Sequence, residues 1–202
     1  MNTLIISAYP CCGKTYMYEN FKDKYKILDS DSSNFSWIER KRTDAELKEI
    51  KREWEETPHL LSGDGYINQI KNDLIKVRNP EFPNNYIQHI KDNIGKVDII
   101  CVSSHLKVRQ ALTDAGIKFI TVYPKEDMLD EWIGRMYRRR SSIKFIEFQI
   151  EHWNEFVTSI EKEPHGEKLY RLGHNEYLYD LIGDAMYELI TWEWYRWIIY
   201  MV

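Results

Sequence analysis

The chain has 202 residues, of which 43% are hydrophobic and 30% charged, and carries a formal net charge of −4. These values fit one folded domain able to bury its own core and argue against disorder. The mildly acidic balance excludes a globally basic nucleic-acid or membrane-surface binder, so any basic site is local. The cysteines Cys11, Cys12 and Cys101 form no even framework and no C-x-x-C pair, which points to a reducing compartment. No secretory leader is read at the start. The apolar stretch WEWYRWIIYMV at the end is broken by Glu193 and Arg196 and is too short to span ~30 Å of hydrocarbon. A cytoplasmic protein without membrane contact is the expectation.

The first element in chain order is TLIISAY, Thr3 to Tyr9, nearly all apolar, as a strand covered on both faces of a parallel sheet would be. Pro10 ends it, and TYMYENFK then reads as a helix with Tyr16, Met17 and Phe21 near helical spacing. Between them, AYPCCGKT satisfies [AG]-x4-G-K-[ST], a phosphate-cradling loop in the strand–loop–helix context that motif requires. Such a loop surrounds phosphate with backbone N–H groups and the free N–H groups of a helix start. Ala8, Tyr9, Pro10, Cys11, Cys12, Gly13, Lys14 and Thr15 are therefore the candidate nucleotide-binding residues. Gly13 permits close approach, Lys14 reaches the β and γ phosphates, and the Thr15 hydroxyl holds Mg²⁺. The competing interpretation is a plain Gly-Lys turn. Cys11 and Cys12 lie in a field of N–H groups and Lys14, which predicts thiolate character and oxidation that blocks nucleotide binding. The bland alternative is that both are simply small loop residues.

YKIL, from Tyr25, reads as a second strand and delivers Asp29 and Asp31 in the cluster DSDSS. In parallel α/β sheets the carboxyl ends of the strands share one edge, where ligands bind, so both carboxylates are expected near the loop. There they can help hold Mg²⁺ and orient or deprotonate an acceptor hydroxyl. The alternative is that these Asp and Ser residues cap the next helix.

Together, AYPCCGKT and ILDSDSSNFSWIE resemble the P-loop kinases of nucleosides, nucleotides and small molecules. The D-S-D step looks like shikimate kinase, and L-D-x-D also resembles adenylylsulfate kinase and the polynucleotide-kinase group. The resemblance covers about the first 40 residues plus a lid described below, and the glycine-rich shikimate motif after the third strand is missing. It implies ATP and Mg²⁺ as cofactors, with Thr15 and Asp29 on the metal side and Asp31 at the acceptor. It also implies an α/β fold of P-loop NTPase type, a three-layer sandwich with about five mostly parallel strands. Residues 1–202 would then be one domain, with an acceptor-binding insert over 34–96 and a lid region over 126–162.

The insert is highly charged, and Phe35, Trp37, Arg40 and Arg42 are candidates to stack on and pair with an acceptor. Most of its Lys and Glu residues read as the solvated face of a helix. VDIICVSSH reads as a third strand with Ser103, Ser104 and His105 at its functional end. Asp98 sits at the wrong end, ~16 Å away at strand rise, so the strand-end acid of motor ATPases is missing. A helix ended by Gly116 and a fourth strand, IKFITVYP, follow. DMLDEWIGRMYRRRSS then places Arg135 and Arg139 four residues apart on one helix face. This resembles the R-x-x-x-R lid of nucleotide kinases, which closes arginines on the transferring phosphate; a solvated basic face is the alternative.

A second lid helix, a fifth strand EKLYRL and a C-terminal helix from about Asn175 complete the chain. That helix carries Tyr177, Tyr179, Tyr187, Trp192, Trp194, Tyr195, Trp197 and Tyr200; core packing explains most of them, but Trp192, Trp194 and Trp197 span more than one face, and an exposed remainder would suggest a homodimer surface. The expected activity is phosphoryl transfer from ATP to a small-molecule or nucleotide acceptor. Lys14, Asp31, Arg135 and Arg139 are the candidate catalytic residues. Two alternatives stay open: a hydroxyl on a polynucleotide as acceptor, disfavoured by the acidic balance, and an NTP-binding switch without transfer.

Overall fold

The structure, a computed structural model, describes residues 3–56 and 74–183. The apolar runs become the strands β1 (Leu4–Ala8), β2 (Ile27–Asp29), β5 (Ile99–Ser103), β6 (Ile120–Pro124) and β7 (Lys168–Leu172), which form one five-stranded sheet in the order β2-β5-β1-β6-β7. Every pairing in it is parallel. Because β1 is central and covered on both faces, all five of its residues are buried, which explains why it reads as a continuous apolar run rather than an alternating one.

The connections fix the layers. From β1 the chain moves two places along the sheet to β2, and from β2 it runs back the other way through β5 and β6 to β7. Right-handed crossovers therefore carry α1 (Lys14–Asn20) to one face and α4 (Asn84–Asn93) and α5 (Leu106–Asp114) to the opposite one. The aromatic contacts of Tyr179 with Tyr16 and Phe21 join the helical segment 178–183 to α1. On the α5 side, the buried Arg109 donates to Ser104 O, Ser159 Oγ and Glu163 O, tying α5 to α8 (Trp153–Lys162). A guanidinium removed from water is tolerated because those acceptors replace the lost hydration.

Residues 126–162, expected as a lid, form a short 3-10 turn (Glu126–Met128), α6 (Leu129–Arg138), α7 (Ile143–Glu151) and α8. Met128, Trp132, Met136, Ile146, Trp153, Val157 and Ile160 from this stretch are all in the main hydrophobic core. The long second lid helix read from the sequence is two helices, α7 and α8, broken at His152.

Residues Ser33–Phe82 form a separate compact unit. The helix α4, within the 34–96 stretch expected as an insert, falls instead in the unit that contains the sheet. Within it, α2 (Ser33–Ser36) leads into β3 (Trp37–Lys41), which pairs antiparallel with β4 (Leu74–Arg78). The charged run WIERK is therefore a strand rather than the face of a helix: it is matched across the ladder by LIKVR, with Glu39 opposite Lys76 and Trp37 opposite Arg78. Next comes α3 (Asp44–Glu56), opened by a capping box in which Thr43 N–H donates to Glu46 Oε2 at 2.8 Å and Glu46 N–H to Thr43 Oγ1 at 3.3 Å.

Candidate functional site

The loop between β1 and α1 is shaped by two left-handed residues, Cys11 at φ 64° and Gly13 at φ 102°. The second is the N-cap of α1 and is suited to glycine, which lacks the Cβ that penalises this conformation. The loop is anchored from outside. Tyr9 N–H donates to Val122 O at 2.9 Å, the Trp132 indole N–H to Pro10 O at 2.8 Å, and Leu178 N–H to Cys12 O at 2.8 Å. Lys14 folds over the loop, its ammonium donating to Ala8 O at 2.6 Å and Tyr9 O at 3.3 Å.

At the same sheet edge, β2 ends on Asp29, whose Oδ2 accepts from the Thr15 hydroxyl at 3.1 Å. Ser30 N–H still bonds Cys101 O at 2.9 Å, so Asp31 is the first residue past the sheet, and it is exposed. Asp29 thus arrives beside the loop because its strand stops there, and Asp31 follows two residues further on.

Tyr86, which the sequence reading missed, locks this edge together. Fully buried on α4, it donates to Ser30 O at 2.6 Å and its oxygen accepts from Ser103 N–H at 3.4 Å. Burial pushes its phenol well above the usual range, and the Asp31 and Asp29 carboxylates add to the shift. An interior Tyr on an amphipathic helix has no chemical signature in a sequence, so nothing there could have singled it out. The Ser30 hydroxyl is buried and without a hydrogen-bond partner among the described residues.

Asp98 lies at the opposite edge, where its carboxylate accepts from Lys26 N–H at 2.7 Å. At the end of β5, Ser103 Oγ accepts from His105 N–H at 3.4 Å. The N-cap of α5 is His105, without a side-chain cap.

The two arginines expected in a lid have opposite environments. Arg135 is buried, with Nε and Nη2 donating to Glu131 Oε1 and Nη2 also to Glu176 O at 2.9 Å. Its guanidinium lies 4.0 Å from the Trp132 ring centroid and 3.9 Å from that of Tyr177. Arg139, at the C-cap of α6, is exposed, as are Arg138 and Arg140. One shared phosphate-facing surface is therefore not what α6 presents: its inward face is core, and Arg135 is packed into that core.

The thiolate expectation fails at Cys12. Its side chain is fully buried, and burial pushes the thiol up to about 12 although Lys14 and Arg135 pull the other way. Cys101 in β5 is likewise buried and pushed up to about 12. Cys11 is partly exposed.

Among the described residues no group of three or more His, Cys, Asp or Glu side chains gathers to hold a metal. A P-loop Mg²⁺ does not ask for one. It takes one or two protein oxygens, with the rest supplied by water and phosphate, and the Thr15 hydroxyl beside Asp29 fits that donor set.

The 33–82 unit has its own recess of about 510 Å³, lined by Ser33, Asn34, Trp37, Ile38, Glu39 and Lys76. Of the acceptor candidates, only Trp37 lines it. Arg40 is engaged with Glu46 at 2.7 and 2.8 Å, Trp37 is stacked by Arg78 at 4.0 Å, and the Nε of Arg42 is buried. Tyr187, Trp192, Trp194, Tyr195, Trp197 and Tyr200, on which the homodimer expectation rests, lie outside the described residues. No described helix is long and apolar enough to cross a membrane. Comparison with protein-family models and with curated proteins found no match to this chain.

Proposed function

We propose that this chain is an ATP- and Mg²⁺-dependent phosphotransferase of the P-loop nucleoside and nucleotide kinase type, passing the γ-phosphate to a hydroxyl of a small-molecule or nucleotide acceptor. The observation that carries the reading is the pairing of the Thr15 hydroxyl with Asp29 at the mouth of a loop whose backbone twice turns left-handed before a helix start. It joins the end of the loop to the end of the second strand, where metal-bound phosphates need hard oxygen ligands.

In this reading the loop N–H groups bind the β-phosphate, and Lys14 moves from the Ala8 and Tyr9 carbonyls to the transferring phosphate. Thr15 and Asp29 hold Mg²⁺, which when bound neutralises charge on the phosphate oxygens. Asp31, exposed just past β2, orients the acceptor hydroxyl and accepts its proton. An acid in that position favours a hydroxyl acceptor, since an incoming phosphate monoester would be repelled. The exposed Arg139 supplies positive charge from α6, whereas Arg135 acts from inside the core.

The test is transfer of labelled γ-phosphate from ATP to nucleosides, nucleoside monophosphates and short oligonucleotides, with Lys14→Ala as control. Label on one acceptor class, lost in the control, supports the reading. ATP binding without transfer to any acceptor would favour a nucleotide-binding switch.

A further inference from the structure

We propose that Trp132, Arg135 and Tyr177 form a positioning clamp that fixes which way the phosphate loop's peptide groups point, with Arg135 acting through its aromatic neighbours rather than on phosphate. The inference rests on the reading of residues 8–15 as a phosphate cradle and goes beyond it, because it assigns the loop's polarity to side chains far away in sequence.

The argument starts from peptide geometry. In a trans peptide the C=O of one residue and the N–H of the next point in opposite directions. The Trp132 indole draws Pro10 O outward at 2.8 Å, and Leu178 N–H draws Cys12 O outward at 2.8 Å. The N–H groups of Cys11 and Gly13 are thereby turned the other way. Neither donates to a backbone acceptor among the described residues. Two donors directed away from the clamp are what an anion requires, and the left-handed φ of Cys11 is the backbone cost of holding them so, a cost that Gly13 escapes for want of a Cβ.

Arg135 holds both sides of the clamp. Its guanidinium is sandwiched between Trp132 and Tyr177 at 4.0 and 3.9 Å, and Tyr177 precedes the residue whose N–H holds Cys12 O. A Cβ built on Gly13 would lie 3.5 Å from the Tyr177 ring, so the same ring also limits the loop from behind. The Arg135 side chain is 3% exposed and bonded to Glu131, and its Nη2 also holds Glu176 O. Nε and Nη2 would have to break these contacts to reach an incoming phosphate, and although Nη1 is buried without a hydrogen-bond partner among the described residues, the rings of Trp132 and Tyr177 cover the guanidinium, which makes Arg135 a positioning residue.

The test uses Trp132→Phe, which keeps an aromatic ring for Arg135 to stack on but removes the N–H to Pro10, with Arg135→Lys as a second arm that keeps the charge and loses the planar stack. Calorimetric binding of inorganic tripolyphosphate and of Mg·ATP is measured beside thermal melting. The clamp predicts about 5- to 10-fold weaker tripolyphosphate and ATP binding in both variants, from the loss of oriented hydrogen bonds. It also predicts kcat at saturating ATP within about twofold of wild type. Wild-type affinity in Trp132→Phe overturns the clamp, and a kcat collapse in Arg135→Lys without an affinity change would make Arg135 a phosphate contact instead. A wild-type chain that binds neither ligand overturns the cradle itself and the clamp with it.

Discussion

The Thr15 hydroxyl donates to the Asp29 carboxylate at 3.1 Å, joining the helix that follows the first strand to the end of the second. The two residues are fourteen apart in sequence, and parallel alignment of β2 and β1 on either side of β5 brings them to one edge. If that pair holds Mg²⁺ with Asp29 acting through water, Asp29→Asn should raise the Mg²⁺ concentration for half-maximal activity by about 10- to 100-fold. ATP binding in the absence of metal should be nearly unchanged. A Mg²⁺ titration of initial rate checks this, and an unshifted midpoint would remove Asp29 from the metal side.

Cys12 should be inert in the native state. Its thiol is enclosed and pushed up to about 12 by burial, so at neutral pH almost none is thiolate, the form that reacts. Mass spectrometry after iodoacetamide at pH 7.5 should show no adduct on Cys12 or Cys101 until the chain is unfolded. Labelling of native Cys12 at the rate of a free thiol would contradict the packing of the loop against β6.

The helices over 126–162 should behave as core. Trp153 is buried, meets Tyr9 edge-on at 5.7 Å between ring centroids and donates its indole N–H to Glu126 O at 2.7 Å. Trp153→Ala should cost about 3–5 kcal/mol of stability, as for other large aromatic truncations. Urea denaturation measures it. A loss below about 1 kcal/mol would mean that the segment is peripheral.

Glu46 gives the 33–82 unit a pH signature. The Arg40 guanidinium first, and then Thr43 N–H, hold its carboxyl at about 2, against ~4.3 for an unperturbed glutamate. Because the folded value is depressed, the stabilisation is complete above the unfolded value and is lost as pH falls toward the folded one. A carbon-13 titration of the Glu46 carboxyl should find its midpoint near the depressed value and see it rise in Arg40→Ala. A wild-type midpoint in the ordinary range would mean that the ion pair with Arg40 is not maintained in solution.

The parallel sheet was legible because strands covered on both faces cannot hide their composition. LIISA, IICVS and ITVYP each read as strands, and Gly13, Lys14 and Asp29 could be found from the loops that follow such strands. The hairpin of Trp37–Lys41 with Leu74–Arg78 was not legible, since it is largely solvent-facing and its charges mimic a helix surface until the pairing partner 30-odd residues later is known. Arg135 was visible as a residue but not as a buried one. Spacing put it on a face with Arg139, and only the packing of Trp132 and Tyr177 around its guanidinium reveals that it points inward. Tyr86 and the loop anchors at Pro10 and Cys12 depend on contacts remote in sequence, which no local pattern encodes.

The most direct measurement is a calorimetric titration of Mg·ATP into the wild-type chain and into Lys14→Ala. Saturable binding to wild type, weakened about 10- to 100-fold in Lys14→Ala by the loss of a charge-assisted contact, is the predicted result. Absence of binding by wild type, or equal binding by both chains, would contradict a phosphate cradle at residues 8–15.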